Sequence, residues 1–428
     1  VLQAWNQTLK LAPRSVMSGL WTQVLRLVLD GPSGAADSDF GALSNLRKMR
    51  VSVACRAAMV ILPPRLAPWR YERGARSLLV NFAQATGSEN AKTLAVGANT
   101  TLAEEEEDEE EAPEEIEEVV ELLLTSLSDK DTIVRWAAAK AVGRITNRLS
   151  RDFGDQVLES LLERCFSFRE SDKAWHGGCL ALAELTRRGL LLPERLGTVM
   201  PLVCRALHFE EVSGNHTLGQ HVRDAACYVC WAFARAFPPD VLQPFVMDLA
   251  SALIQVAVFD REINCRRAAA AAVQENVGRQ GTFPDGIEVV TIADYWSLSG
   301  RRHAYLEVAP QIATLGEGGY RKALMEHLVD RKLAHQDMQI RLLAAQGLAK
   351  LAQEPSEETL DFLNSTVLPK LLLRANDSGG SNATSNGGPT SGGTPVTGTV
   401  QARHGAVEGA AALTEVLKDK VSAENQTQ

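Results

Sequence analysis

Apolar residues in this chain recur at helical rather than strand spacing. From Val134 they fall at Ala137, Ala138, Ala141, Val142 and Ile145, offsets that share one face of an α-helix. A charged Arg135 stands one place after the start, off that face. The same figure returns from Val222 with Arg223, from Cys265 with Arg266 and from Ile340 with Arg341. Ala174 opens a copy with Trp175 in the arginine place, and Arg301 opens a weaker one with Arg302. These starts lie 40, 48, 43, 36 and 39 residues apart. A period near forty with two helices per unit predicts an all-α HEAT/armadillo-type solenoid, because a unit that cannot bury its own apolar face must stack on its neighbours.

The pattern also sets the expected organisation. Helical repeats occupy 1–84, where Val51, Ala54, Cys55, Ala58, Met59 and Leu62 form one helix ended by Pro63–Pro64. A second helix is expected over Arg70–Phe82. A polar, acidic linker spans 85–118, and HEAT-like repeats fill 119–375. A further copy starts at Ala402, 62 residues after Ile340, and the excess is a Gly/Ser/Thr-rich stretch at 376–400. That stretch cannot build a core, so it reads as a low-complexity, disordered loop inserted in a repeat. Residues 401–428 then begin another helical repeat. Asp131, Asp172 and Asp337 precede their helices closely enough to be expected as N-caps. The chain opens on Val1 in mid-pattern, so a fragment of a longer array is expected, continuing beyond Gln428.

Composition refines this picture without changing it. Aromatics make up 6% of the chain against 45% hydrophobic residues, which suits helices packed through small side chains. The net charge of -9 is local: 13 of 53 acids lie between Glu104 and Glu121, and the other 40 face 44 basic residues. It makes no case for a nucleic-acid partner. The apolar run Leu249–Phe259 is too short to span a bilayer, so no membrane insertion is expected. Seven cysteines set mostly in apolar helical patterns read as reduced thiols in a reducing compartment.

The common phosphate-loop, zinc-protease and hydrolase-elbow motifs do not occur. Cys227 and Cys230 have no second pair for a metal site and read as core thiols; no cofactor or metal is expected. Trp175 and His176, before Gly177 and Gly178, read as a repeat junction where helices approach closely, or as a partner contact. The ladder arginines Arg135, Arg223, Arg266 and Arg341 are expected to pair with an acid of the next repeat. Arg267 is an extra charge beside that ladder and a candidate contact. The polar run Gln274, Glu275, Asn276 and Arg279 ends an alanine-rich helix. It is either an ordinary polar helix end or a binding ridge.

Six strings carry a family resemblance: WRYERGARSLL at 69–79, the acidic run, DKDTIVRWAAAK at 129–140, DKAWHGGCLALAEL at 172–185, VRDAACYVCWAFARAF at 222–237 and INCRRAAAAAVQENVGRQGTFP at 263–284. In this order they resemble the tubulin-folding cofactor D family (tubulin-specific chaperone D). The resemblance implies a cytoplasmic chaperone-like scaffold, microtubule- or centrosome-associated, that receives β-tubulin. With tubulin cofactors C and E and an Arf-like small GTPase, the family joins or parts the α/β-tubulin heterodimer. It also implies a part in stimulating GTP hydrolysis as one component of a complex, with no catalytic motif to carry over. Two alternatives stand beside this: a GTPase activator inserting Arg267 or Arg279 as an arginine finger, and a generic HEAT-repeat scaffold.

Overall fold

Six of the seven repeated figures begin two residues inside a helix in the computed structural model of the chain. It describes residues 2–29, 43–72, 113–377 and 399–427, apart from 12, 18, 63, 65, 68, 168–169, 215 and 354–355. The helices are α1 (Leu2–Leu11), α2 (Trp21–Leu29), α3 (Ser44–Ile61), α4 (Glu114–Ser126), α5 (Thr132–Thr146), α6 (Arg151–Phe166), α7 (Asp172–Thr186) and α8 (Leu196–Leu207). A short antiparallel hairpin follows, β1 (Glu211–Ser213) and β2 (His216–Leu218), with Val212 opposite Thr217. Then come α9 (Gln220–Ala236), α10 (Val246–Phe259), α11 (Ile263–Gln280) and α12 (Gly286–Ile292). Arg301–His303, a π turn at Ala304–Val308 and Ala309–Ile312 run on as α13. Gly319–His327 with a π turn at Leu328–Lys332 forms α14, and Met338–Leu351 is α15. Glu357–Phe362, a π turn at Leu363–Val367 and Leu368–Asn376 form α16, and Val400–Thr427 is α17. The chain divides into two compact units, Val1–Met200 with Ala232–Val241, and Pro201–Trp231 with Leu242–Gln428.

In the first unit α7 packs on α5 and α5 on α3. The apolar stripe does the packing: Val134, Ala138, Ala141, Val142 and Ile145 are all buried. Helix α7 is buried along its whole run from Ala174 to Thr186, more than a one-sided stripe predicts. In the second unit α10 packs on α11 and α14, while α15 and α16 both pack on α17. Within Pro239–Phe259 an 18-residue window reaches a mean hydropathy of 1.7, but the 3-10 turn Gln243–Phe245 interrupts the stretch and α10 buries ten of its residues.

Several boundaries differ from the sequence expectation. Pro113 sets the start of α4, so Glu114–Glu118 belong to a helix rather than to the linker; Glu114, Glu115 and Glu117 favour a helix N-terminus electrostatically. Arg70–Glu72 are not helical, and the rest of the helix expected to Phe82 lies outside the described residues. So do the acidic run Glu104–Glu111 and most of the low-complexity stretch; α16 extends to Asn376. Of the three expected caps only Asp337 caps with its side chain, accepting from Gln339 N at 2.9 Å. Asp131 holds the cap position but its carboxylate is drawn to Arg47, and Ser171 rather than Asp172 caps α7. The weak copy at Arg301 has a physical cause. Its helix starts at Arg301 itself, so Ala304 takes the fourth helical place where Arg135, Arg223, Arg266 and Arg341 sit, and Arg302 is left exposed.

Candidate functional site: the arginine ladder and the surface of α11

The ladder arginines share one geometry. Each sits in the first turn of its helix, and in three of them Nη1 donates back to two carbonyls of the preceding turn. These are Asp129 and Lys130 for Arg135, Asp260 and Arg261 for Arg266, and His335 and Gln336 for Arg341, all at 2.6–3.1 Å. The far side of the guanidinium reaches onward to the next repeat. Arg135 Nε donates to His176 Nδ1 at 2.7 Å, and Arg341 Nε to His404 Nδ1 at 3.3 Å. Arg266 donates to the carbonyls of Leu298 and Ser299 at 2.8 and 2.9 Å. Only Arg223 meets the expected acid, gripping Asp260 with two bonds at 2.5 and 3.1 Å. The expectation of an acid at every rung is corrected: carbonyls and imidazoles fill it elsewhere. A buried carboxylate would have to be desolvated at each junction, whereas these neutral acceptors satisfy the donors without that cost. Burial lowers the pKa of Arg135, Arg266 and Arg341; for Arg223 burial acts the same way, but the Asp260 carboxylate outweighs it and raises the pKa.

Two of the junctions are copies of one device. His176 and His404 each stand two places after the start of their repeat figure, and each is followed by a glycine, Gly177 and Gly405. A side chain at Gly177 would overlap the carbonyl of Leu127, and one at Gly405 that of Leu333. Leu127 and Leu333 are themselves equivalent, each seven residues before its own repeat start, Val134 or Ile340. Glycine therefore lets the helix rest on the turn of the preceding repeat, while histidine receives the arginine of that repeat. Trp175 is fully buried edge-on to Phe166, with ring centroids 5.0 Å apart, and His176 is buried as well. Both are held inside the junction, so they are not surface contacts for a partner.

The polar end of α11 separates into two sets. Gln274 and Arg279 are exposed, and Glu275 forms an ion pair with Arg279 one turn on. Asn276 is 0% exposed, and its Nδ2 donates to the carbonyls of Cys230 at 3.3 Å and Ala272 at 2.8 Å. Asn276 thus ties α11 to α9 and leaves the ridge, a correction to its place in the run. Cys227 and Cys230 are buried and not in a disulfide, and burial drives the Cys227 pKa up, which suits core packing rather than nucleophilic chemistry.

Arg267 leads to a feature that helical periodicity does not find. Its guanidinium carbon lies 3.7 Å from the centre of the Tyr295 ring, in the loop between α12 and α13. Tyr295 and the adjacent Trp296 are 53% and 76% exposed, with ring centroids 5.5 Å apart. The available sequence signal was ADYWSLSG, two neighbouring aromatics in a polar, non-periodic stretch of an aromatic-poor chain.

Comparison with known proteins places this geometry. Residues 45–287 match the family model described as tubulin-specific chaperone D-like, ARM repeats. Tubulin-specific chaperone D of Dictyostelium discoideum is 42% identical over 323 residues, covering 74% of this chain and 22% of that protein. Tubulin-folding cofactor D of Schizosaccharomyces pombe is 28% identical over 334 residues, covering 75% of this chain and 28% of that protein. The chain therefore spans about a quarter of the length of these curated relatives. Among solved structures, a mutant of Kap121p, a karyopherin in its wild-type descriptions, aligns over 87% of this chain and 38% of its own, with 14% identity and a TM-score of 0.37. An engineered protein aligns over 69% and 98%, with 16% identity and a TM-score of 0.26, and neither score supports a functional inference. The repeats at 45–287, with the ladder from Arg135 to Arg266 inside them, make the chain a member of the tubulin-specific chaperone D-like ARM-repeat family.

Proposed function

We propose that this chain is a section of a tubulin-folding cofactor that holds β-tubulin on its helical-repeat surface. On this reading it works with tubulin cofactors C and E and an Arf-like small GTPase to join or part the α/β-tubulin heterodimer. It acts by gripping its partners and performs no bond chemistry of its own. The observation that carries the reading is the family match across 45–287, supported by two relatives named for tubulin folding. A cytoplasmic place of action, at microtubules or centrosomes, goes with it. The test is a pull-down with a full-length protein containing this section. It should retain β-tubulin; failure while cofactors C and E retain it would overturn the reading.

The arginine-finger alternative is less well supported by the geometry. A finger must extend into a partner's active site, yet Arg279 pairs with Glu275 and Arg267 stacks on Tyr295. A single-turnover GTPase assay on the assembled complex separates the two. Under the scaffold reading, removing either charge lowers hydrolysis only as far as it lowers binding. Loss of hydrolysis with binding intact would establish the finger.

A further inference from the structure

The loop Ala293–Gly300 is tied down everywhere except at its aromatic tip. Asp294 Oδ1 accepts from Trp296 N at 2.8 Å, Ser297 N at 2.6 Å and Ser297 Oγ at 2.8 Å. Ser299 Oγ returns to the Trp296 carbonyl at 2.6 Å, and Leu298 is buried completely as the loop's root. Arg266, a rung of the ladder, clamps the Leu298 and Ser299 carbonyls. A loop with its polar groups so committed holds the Trp296 indole out in a fixed place, 76% exposed. An exposed indole on a preorganised support is the form that binding anchors take, because little freedom is lost on association.

Charge around the tip selects the partner. Arg267 stacks on Tyr295, and Arg301 follows the loop directly, close enough to Arg266 to act on it electrostatically. Among the described residues neither Arg267 nor Arg301 has a carboxylate within ion-pair distance, while Arg261 is already paired with Glu262 at 3.1 Å. The loop's own carboxylate, Asp294, is directed into its backbone and Ser297. Arg267 on the Tyr295 ring and Arg301 at the end of the loop therefore bring two cations that are not ion-paired to the segment that carries the aromatic pair.

We propose that Tyr295 and Trp296, with Arg267 and Arg301, form a docking surface for an acidic polypeptide segment that carries one aromatic or large aliphatic side chain. The apolar side chain lies against the indole, and flanking carboxylates meet the two guanidinium groups. This deepens the scaffold reading by naming what the surface recognises in a client, and it rests on that reading only for who the client is.

The test uses fluorescein-labelled peptides on the full chain and needs no tubulin. A peptide of four glutamates, one phenylalanine and four glutamates should raise anisotropy on titration and lose affinity with added salt. Binding should weaken at least tenfold in Trp296→Ala and in Arg301→Glu, whose positions lie outside the core, with far-UV circular dichroism unchanged. A peptide with lysines for the glutamates should not bind. Absence of binding by the wild-type chain would overturn the proposal, as would equal binding when serine replaces the phenylalanine. Sedimentation provides a further arm: if Trp296→Ala abolishes self-association and leaves peptide binding intact, the occupant is a second copy and the proposal fails. A full-length protein that binds the peptide but not β-tubulin would sink the tubulin reading alone.

Discussion

Arg223 and Arg135 hold the same place in their repeats, yet they answer different demands. Arg223 neutralises Asp260, which is buried and also accepts from Glu262 N at 2.8 Å. Arg223→Met strands that carboxylate, and a loss of about 3–5 kcal/mol is expected. Asp260→Asn added to Arg223→Met should recover part of it. Arg135→Met leaves only neutral acceptors behind and should cost less, about 1–3 kcal/mol. Urea denaturation of the four proteins checks the order; equal losses for the two single variants would refute it. The glycines offer a second residue-scale test. Gly177→Ala must push α7 off the Leu127 carbonyl, and overpacking of this kind costs about 1–3 kcal/mol. Gly405→Ala should cost a similar amount, because it meets the same position of its own neighbour, Leu333.

At the scale of one element, α11 shows which part of a helix its sequence reveals. The alanines were legible as packing, and Ala269 and Ala272 are buried. The polar run was legible as four polar residues, but which of them face inward was not. Asn276 falls eleven places after Cys265, an offset on the same face, and a periodicity scored on apolar residues alone passes over it. The expected behaviour is correspondingly split. Gln274→Ala with Arg279→Glu should leave the thermal midpoint almost unchanged and weaken partner capture. Asn276→Ala should instead cost about 1–3 kcal/mol, since the Cys230 and Ala272 carbonyls lose a buried donor. Thermal melts beside a binding assay distinguish the two sets.

For the molecule as a whole, the repeat period was legible because stacking units must each place an apolar stripe and a junction at the same offset. Junction chemistry was less so, since carbonyl acceptors leave no trace in side-chain identity. Ionisable groups packed between repeats were not legible at all, because they come from positions far apart in the chain. The second unit holds such a group: the His208 and His327 rings lie 4.8 Å apart, and Glu210 accepts from His335 Nε2 at 2.9 Å. Burial, helped by Arg331 and Lys332, puts both His208 and His327 well below 6.5, so the folded state favours their neutral forms. The unfolded chain then takes up protons first. Their contribution is complete above about pH 6.5 and is lost as pH falls below it. Glu210 adds a later step. Burial opposes its charge, but Lys332 and His335 outweigh this and hold its pKa far below 4.5, so its contribution is lost only as pH falls below that value. Denaturation midpoints measured from pH 7.5 down to about 2 should decline in two stages. His327→Phe, a ring that can keep the stack on Phe259, should flatten the first stage, and an unchanged slope would exclude the pair as its source.

The small hairpin carries a consequence for how the second unit comes apart. Thr217 in its second strand accepts from Gln336 at 2.7 Å, and Glu210 at its base holds His335, contacts that bridge 119 and 125 residues. An array in which each repeat touches only its neighbours can fray from an end, one repeat at a time. A link between residues more than one repeat apart removes that freedom, because the residues it joins must release together. Chain closure over so long a loop also comes late in folding and slows it. The unit should therefore melt as a single cooperative block, and cutting the link should turn one sharp transition into a stepwise one.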